Sequence, residues 1–328
     1  MKNKPIIIIS GEPYSVFLEI FFKIFKSKFL LKYKRPIIII TCKKIFEMQM
    51  NAMNFSFKIN LLKFNQISKK KLNNSQINLI DVKSSLKKPF GKISNKSSKY
   101  INDCFDLGVK IMNEKKGFAL INGPVSKRHF LKNKFPGVTE YLAKKTNRNN
   151  NEVMLIYNEK LSVSPITTHI PLKCVNKHIS VKKIVNKIKT INEFYKKKLN
   201  KIPRFAVTGL NPHCESNFID SEEEKIIKPA IKILKKKSLK VKGPYSSDTL
   251  FVNKNIVKFD VVIGMYHDQV LTPLKTLFGF NAINVTLGLP FIRISPDHGP
   301  NNQMLGQKKS DISSLKESLI FLKKLNGN

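Results

Sequence analysis

Short apolar runs constrain this chain more than any other feature. They occupy positions 5–9, 36–40, 118–121, 205–208 and 259–263, and the first two both read Pro-Ile-Ile-Ile-Ile. Runs of this length bounded by polar residues mark strands covered on both faces, the habit of parallel sheets. Between them lie segments of helical period. Positions 14–25 follow the turn Ser10-Gly11-Glu12-Pro13, and 181–199 carries apolar residues at 181, 184, 185, 188, 191, 194 and 195. A largely buried helix is expected over 100–115 and a final one over 311–325. Positions 222–237 open with three glutamates and close with three lysines, which suits the helix macrodipole. Strands alternating with helices predict an α/β fold with a mostly parallel sheet.

Other segments are less regular. Positions 153–157 and 161–164 read as paired strands joined by Asn158-Glu159-Lys160, and 51–98 as short irregular strands and exposed loops. Thr41 stands where it would cap the helix after the second strand. There is no repeat of solenoid period.

With 328 residues, 41% of them hydrophobic, the chain can bury one large core or two ordinary ones. No apolar run is long enough to cross a bilayer, and the first residues are too short a run for a secretory signal, so a cytoplasmic protein with no membrane partner is expected. Cys42, Cys104, Cys174 and Cys214 form no CxxC pair, which argues against a disulfide framework or a cysteine zinc site. The net charge of +38 attracts anions. Lysine is spread along the whole chain, as an A+T coding bias would produce. Nucleic-acid binding is therefore expected to be non-specific and salt-sensitive if it occurs, and small phosphorylated or carboxylated ligands fit better.

Of six histidines, His169, His213 and His267 each follow a strand candidate at or just past its carboxyl end, where open α/β sheets bind ligands. One such histidine is more often structural. Three can hold a divalent metal and leave positions open for substrate. The stretch from Gly264 to Gly299 and the strand terminus Asn122-Gly123-Pro124-Val125-Ser126-Lys127 have the same polar, glycine-containing character. Thr139 enters a helix where its hydroxyl can meet a phosphate or cap the helix.

Several ordered motifs carry a resemblance. They are Gly123-Pro124-Val125-Ser126-Lys127, Thr167-Thr168-His169-Ile170-Pro171-Leu172, Gly209-Leu210-Asn211-Pro212-His213 and Asp248-Thr249-Leu250-Phe251. Tyr266-His267-Asp268-Gln269, the block from Asn284 to Arg293, and Asp297-His298-Gly299 complete the set. Together they resemble the 4-hydroxythreonine-4-phosphate dehydrogenase family of pyridoxal phosphate biosynthesis.

The resemblance implies a two-domain fold like that of isocitrate and isopropylmalate dehydrogenases, with a cleft between the domains. It implies a homodimer in which the partner subunit completes each active site. The domains would be 1–130 with 300–328, on the cofactor side, and 131–299, on the metal and substrate side. No Rossmann GxGxxG follows the first strand, as expected of that fold.

Carried over, His169, His213 and His267 become ligands of a divalent metal, zinc foremost, with magnesium or cobalt as alternatives. Thr139, Lys275, Asn284 and Arg293 become substrate contacts; Asp248, Asp268 and Lys275 become catalytic or orienting groups. Asp297, His298 and Gly299 begin the loop for NAD, or NADP. The implied reaction oxidises the hydroxyl of 4-phosphooxy-L-threonine, with hydride passing to NAD. The β-keto acid then loses CO₂ to give 3-amino-2-oxopropyl phosphate.

Three features depart from the family. Val138 replaces the histidine of a His-Thr pair, bulky residues at 14–18 replace the small ones of a GEPxGIGP turn, and Lys308 stands where the family tends to have a glycine. They leave open another phosphorylated hydroxy acid, phospho-threonate or phospho-erythronate, as substrate. A non-catalytic basic binding protein is the alternative from a different class.

Overall fold

The computed structural model describes residues 4–132, 134–149, 151–214, 219–279, 281–296 and 298–325. The chain forms two compact units, 1–151 with 289–323 and 152–288 with 324–328. These boundaries differ from 130/131 and 299/300 because helix Val138–Lys145 belongs with the first unit and the strand Ile292–Pro296 pairs there with Ala119–Asn122. There Tyr141 packs its ring 5.4 Å from Phe105 and donates its hydroxyl to Asn102.

In the first unit the strands are β1 (Ile6–Ile9), β2 (Ile37–Thr41), β3 (Ile59–Leu61), β4 (Ile77–Asp81), β5 (Ala119–Asn122) and, after the excursion into the second unit, β12 (Ile292–Pro296). Their order is β3-β4-β2-β1-β5-β12, and every pairing is parallel. Parallel neighbours need crossover connections, and helices α1 (Phe17–Lys26), α2 (Lys43–Ala52) and α3 (Ser98–Asn113) supply them. Because side chains alternate, Ile7, Ile9, Ile38 and Ile40 share a core with Ile101, Cys104 and Phe105 of α3. Phe22 and Phe46, of α1 and α2, meet edge to face at 4.8 Å. Each such buried side chain stabilises the fold by about 1.5–3 kcal/mol. Two further helices of this unit are α4 (Val138–Lys145) and α11 (Ser313–Lys324).

Two expectations are corrected here. Within 51–98, β4 is a core strand in register with β2, Ile39 opposite Leu79. Asn78 disguises it: the side chain is buried, and its amide donates to the carbonyls of Ile37 and Asn73 at 3.1 and 2.8 Å. Thr41 does not cap α2. Its hydroxyl bonds Tyr100, and Asp81 accepts from the Lys43 amide instead.

The second unit contains β6 (Val153–Tyr157), β7 (Ser162–Pro165), β8 (Phe205–Thr208), β9 (Val241–Tyr245), β10 (Val261–Gly264) and β11 (Ile283–Leu287). Their order is β11-β6-β7-β10-β8-β9. β6 pairs antiparallel with β7 and β11, whereas β7, β10, β8 and β9 run parallel. Its helices are α5 (Val175–His178), α6 (Val181–Leu199), α7 (Lys228–Lys236), α8 (Ser247–Leu250), α9 (Asn253–Ile256) and α10 (His267–Phe278). The segment expected as one helix over 222–237 opens with a π-helical turn, Glu223–Ile227, before α7.

Candidate active site

Strand order in the second unit brings the three candidate histidines to adjacent strand ends, since β10 lies between β7 and β8. Beyond the strands, the β7–β10 pairing continues: the Ile166 and Thr167 amides donate to Gly264 and Met265 carbonyls at 2.7 and 3.1 Å. This holds the two following loops together. His169 and His267 consequently lie side by side, ring centroids 5.8 Å apart and planes tilted by 40°.

His267 opens α10, and its Nδ1 lies 2.7 Å from Asp268 Oδ1. His213 follows β8 in a left-handed conformation, φ 59°, and its Nδ1 lies 3.9 Å from Asp248 Oδ2. Asp248 also accepts from the Ser246 hydroxyl, and that bond holds its carboxyl below the usual range, with His213 adding to the effect. Each expected carboxylate therefore stands beside a different histidine.

Two residues that shape these loops were not singled out as site residues in the sequence. Burial works to raise the Glu223 pKa, but donors from the 210–211 turn hold it low. Its Oε1 accepts from the Leu210 and Asn211 amides at 2.7 and 2.9 Å, which fixes the turn leading to His213. Gln269 joins the ends of β8 and β10: Oε1 accepts from the Met265 amide and Thr208 hydroxyl, and Nε2 donates to the Gly209 carbonyl. Their partners are mostly backbone groups, which no side-chain motif announces.

Lys275 lies exposed in the last turn of α10. Asn284, in β11, is half-buried, and its Oδ1 is buried with no hydrogen-bond partner among the described residues. An acceptor in that condition costs free energy until a donor meets it.

The donor chemistry suits a divalent metal, with two imidazoles side by side and a carboxylate behind His267. The number of donors does not. Among the described residues of one chain, no group of three or more His, Cys, Asp or Glu side chains could hold a metal ion.

The first unit holds the remaining candidates. Arg293, the second residue of β12 and 2% exposed, donates from Nε to Asn122 Oδ1 at 2.7 Å and from Nη1 to the Thr139 hydroxyl at 3.3 Å. Burial pushes its pKa down to about 10, against the pull of Glu140. Thr139 lies in the first turn of α4, where Gly137 is the N-cap residue, so its hydroxyl serves Arg293 and does not cap the helix. Val138 beside it packs against the unit's core.

His298 stacks on Phe17, ring centroids 6.2 Å apart, and its Nδ1 lies 2.9 Å from the Gly299 carbonyl. Asp297 lies outside the described residues. The loop after Gly299 is bound to α1 and the turn before it. The Val16 amide donates to Pro300, and Asn302 Nδ2 to Tyr14. Buried Glu19 accepts from the Lys308 and Ser310 amides, while Lys23 donates to both carbonyls at 2.8 and 2.6 Å. The turn itself abuts the end of β5. A Cβ on Gly11, φ +73°, would lie 2.4 Å from the Pro124 carbonyl oxygen, so only glycine fits. Next to it, Glu12 is 1% exposed, with neither carboxylate oxygen in good hydrogen-bond geometry. Burial raises its pKa to about 7, offset in part by Ser97 and the Tyr14 amide.

Comparison with known proteins gives this arrangement a family. The profile described as pyridoxal phosphate biosynthetic protein PdxA matches residues 32–321. The chain belongs to this family. It is 41% identical over 256 residues to 4-hydroxythreonine-4-phosphate dehydrogenase of Sulfurihydrogenibium sp., covering 76% of this chain and 77% of that one. It is also 38% identical over 184 residues to D-threonate 4-phosphate dehydrogenase of Pectobacterium atrosepticum, covering 55% of this chain and 56% of the relative.

Among solved structures, 4-hydroxythreonine-4-phosphate dehydrogenase from Klebsiella pneumoniae superposes with a TM-score of 0.83 at 28% identity, over 98% of this chain and 99% of that one. Isocitrate dehydrogenase from Methylococcus capsulatus, at 8% identity and TM-score 0.50, over 97% and 85% of the two chains, extends the likeness of fold alone. Membership of the PdxA family makes the chain an oxidoreductase of α/β fold. No helix among the described residues is long and apolar enough to cross a membrane.

Proposed function

We propose that this PdxA-family chain oxidises 4-phosphooxy-L-threonine with NAD and releases 3-amino-2-oxopropyl phosphate and CO₂. The observation that carries the proposal is the pairing of His169 with His267 at neighbouring strand ends, with Asp268 behind one ring. In line with the family resemblance, the active site is proposed to form in a homodimer, to which His213 also contributes. A divalent metal, zinc foremost, held there by His169, His213 and His267 would supply the Lewis acid for the substrate hydroxyl, and NAD, or NADP, the hydride acceptor.

The chain's own residues do the rest. Arg293, held by Asn122 and Thr139, presents a fixed guanidinium fork to an anionic group. Lys275 offers a mobile charge to a second one. Asn284 Oδ1 meets a substrate donor such as the amine. Asp268 and Asp248 orient the His267 and His213 rings. His298 and Gly299, with Asp297, begin the dinucleotide loop. The reaction would take place in the cytoplasm.

The test is NADH formation by metal-loaded protein given 4-phosphooxy-L-threonine or D-threonate 4-phosphate. Val138 in place of a polar contact, and the likeness to D-threonate 4-phosphate dehydrogenase, favour the second substrate as the competing reading. NADH with the first and none with the second supports the proposal; the reverse replaces it with that reading.

A further inference from the structure

The second unit carries a groove that the proposed reaction does not use. It lies beside β9, the outer strand of the unit's sheet order, and has a volume of about 720 Å³. That is the size of a small-molecule pocket. Its floor is apolar: Val241, Leu250 and Phe259 are buried, and the Tyr245 ring lies 5.5 Å from that of Phe259.

Its rim is cationic. Arg204, Lys235, Lys240, Lys242 and Lys258 make five basic residues among twelve that line it, with no acidic residue. The chain as a whole has 60 in 328, so the lysine-rich composition alone accounts for about two. Asp260 beside the groove is already engaged by Arg204 and Lys201, at 3.1 and 2.7 Å. Concentrated charge of one sign attracts a counter-ion.

We infer that this groove binds a small organic phosphate with a flat apolar part, of the nucleoside diphosphate class, and that its occupancy is felt at His213. The rim lysines receive the phosphates, while Tyr245, Phe259 and the aliphatic floor cover the base. The link to His213 is a single turn of helix. Thr249 and Leu250 of α8 line the groove, and Asp248 of the same turn stands 3.9 Å from His213. Only this link rests on the proposed role of His213; binding does not.

The chain contains no tryptophan, so Tyr245→Trp places one fluorophore in the groove. Titration with ADP at about 0.15 M salt, where exposed charges are largely screened beyond ~8 Å, should change its emission saturably. Adding Lys240→Glu and Lys242→Glu should weaken the effect ten-fold or more. A linear response, or one untouched by the charge reversals, overturns the site. Calorimetry on the chain with its native Tyr245 should lose one ADP-binding event when the same two reversals are made; equal heats overturn it too. The His213 imidazole NMR signal should shift with ADP in the native chain only. Saturable fluorescence with an unmoved His213 signal removes the link to His213 and leaves a binding site. Neither optical nor calorimetric readout depends on turnover, so failure here is distinct from failure of the proposed reaction.

Discussion

Arg293 donates to the Thr139 hydroxyl at 3.3 Å from a guanidinium that is almost wholly buried. A side chain held in this way has lost its freedom before any ligand arrives, and so spends less of its binding energy on ordering.

Arg293→Lys keeps the charge but loses the fork that reaches Asn122 and Thr139 together. The substrate KM should rise about ten-fold or more, roughly 1.4 kcal/mol of binding, with a smaller change in kcat. Steady-state kinetics on the two proteins decide it; an unchanged KM removes Arg293 from substrate binding.

Glu12 makes stability depend on pH in an unusual direction. Its folded pKa is raised from 4.5 to about 7, so the folded state holds a proton that the unfolded chain has released. Stability therefore falls as pH rises from about 4.5 to 7. Glu12→Gln should leave stability nearly unchanged at pH 4 and raise it by up to roughly 3 kcal/mol at pH 8. Urea melts at the two pH values measure this, and an equal effect at both would contradict it.

Glu19→Ala should free the loop that Glu19 and Lys23 hold. It leaves the Lys308 and Ser310 amides without their acceptor, at a cost of about 2–3 kcal/mol. Hydrogen exchange at these two amides should accelerate, and NAD affinity should fall with little effect on substrate KM. Unaltered exchange at 308 and 310 would show that other contacts hold the loop.

Asp268→Asn removes the carboxylate 2.7 Å from His267 Nδ1. Loss of such a partner lowers metal affinity about 10- to 100-fold, which zinc titration against a chelator reads directly. The far-ultraviolet spectrum should not change, because Asp268 is exposed.

How far the sequence foretold this depended on whether a residue's partners were side chains or backbone. The runs at β1 and β2 were legible because all the isoleucines of both strands face packed layers. β4 was not, since buried Asn78 breaks the apolar pattern while its amide is satisfied by carbonyls. His169 and His267 could be placed at strand ends, but only strand order makes those ends neighbours. The same order puts His213 next along, yet its left-handed backbone turns it to Asp248. Glu223 stood in the sequence as one of three glutamates at a helix start and Gln269 as the end of a motif, but their positioning roles were not legible because they serve mostly backbone amides and carbonyls. The compact units divide at 151/152, not at 130/131, because Tyr141 packs against Phe105, a contact between distant parts of the chain.

β12 completes the first unit's sheet beside β5, Arg293 opposite Leu120, after residues 152–288 have been spent on the second unit. At 5–20 residues per second, a ribosome needs on the order of ten seconds to make that stretch. Throughout that interval β5 presents an open edge of the kind that other nascent chains can pair with. Arg293 arrives on β12 itself, so the newborn protein gains this buried guanidinium only in the step that closes this edge.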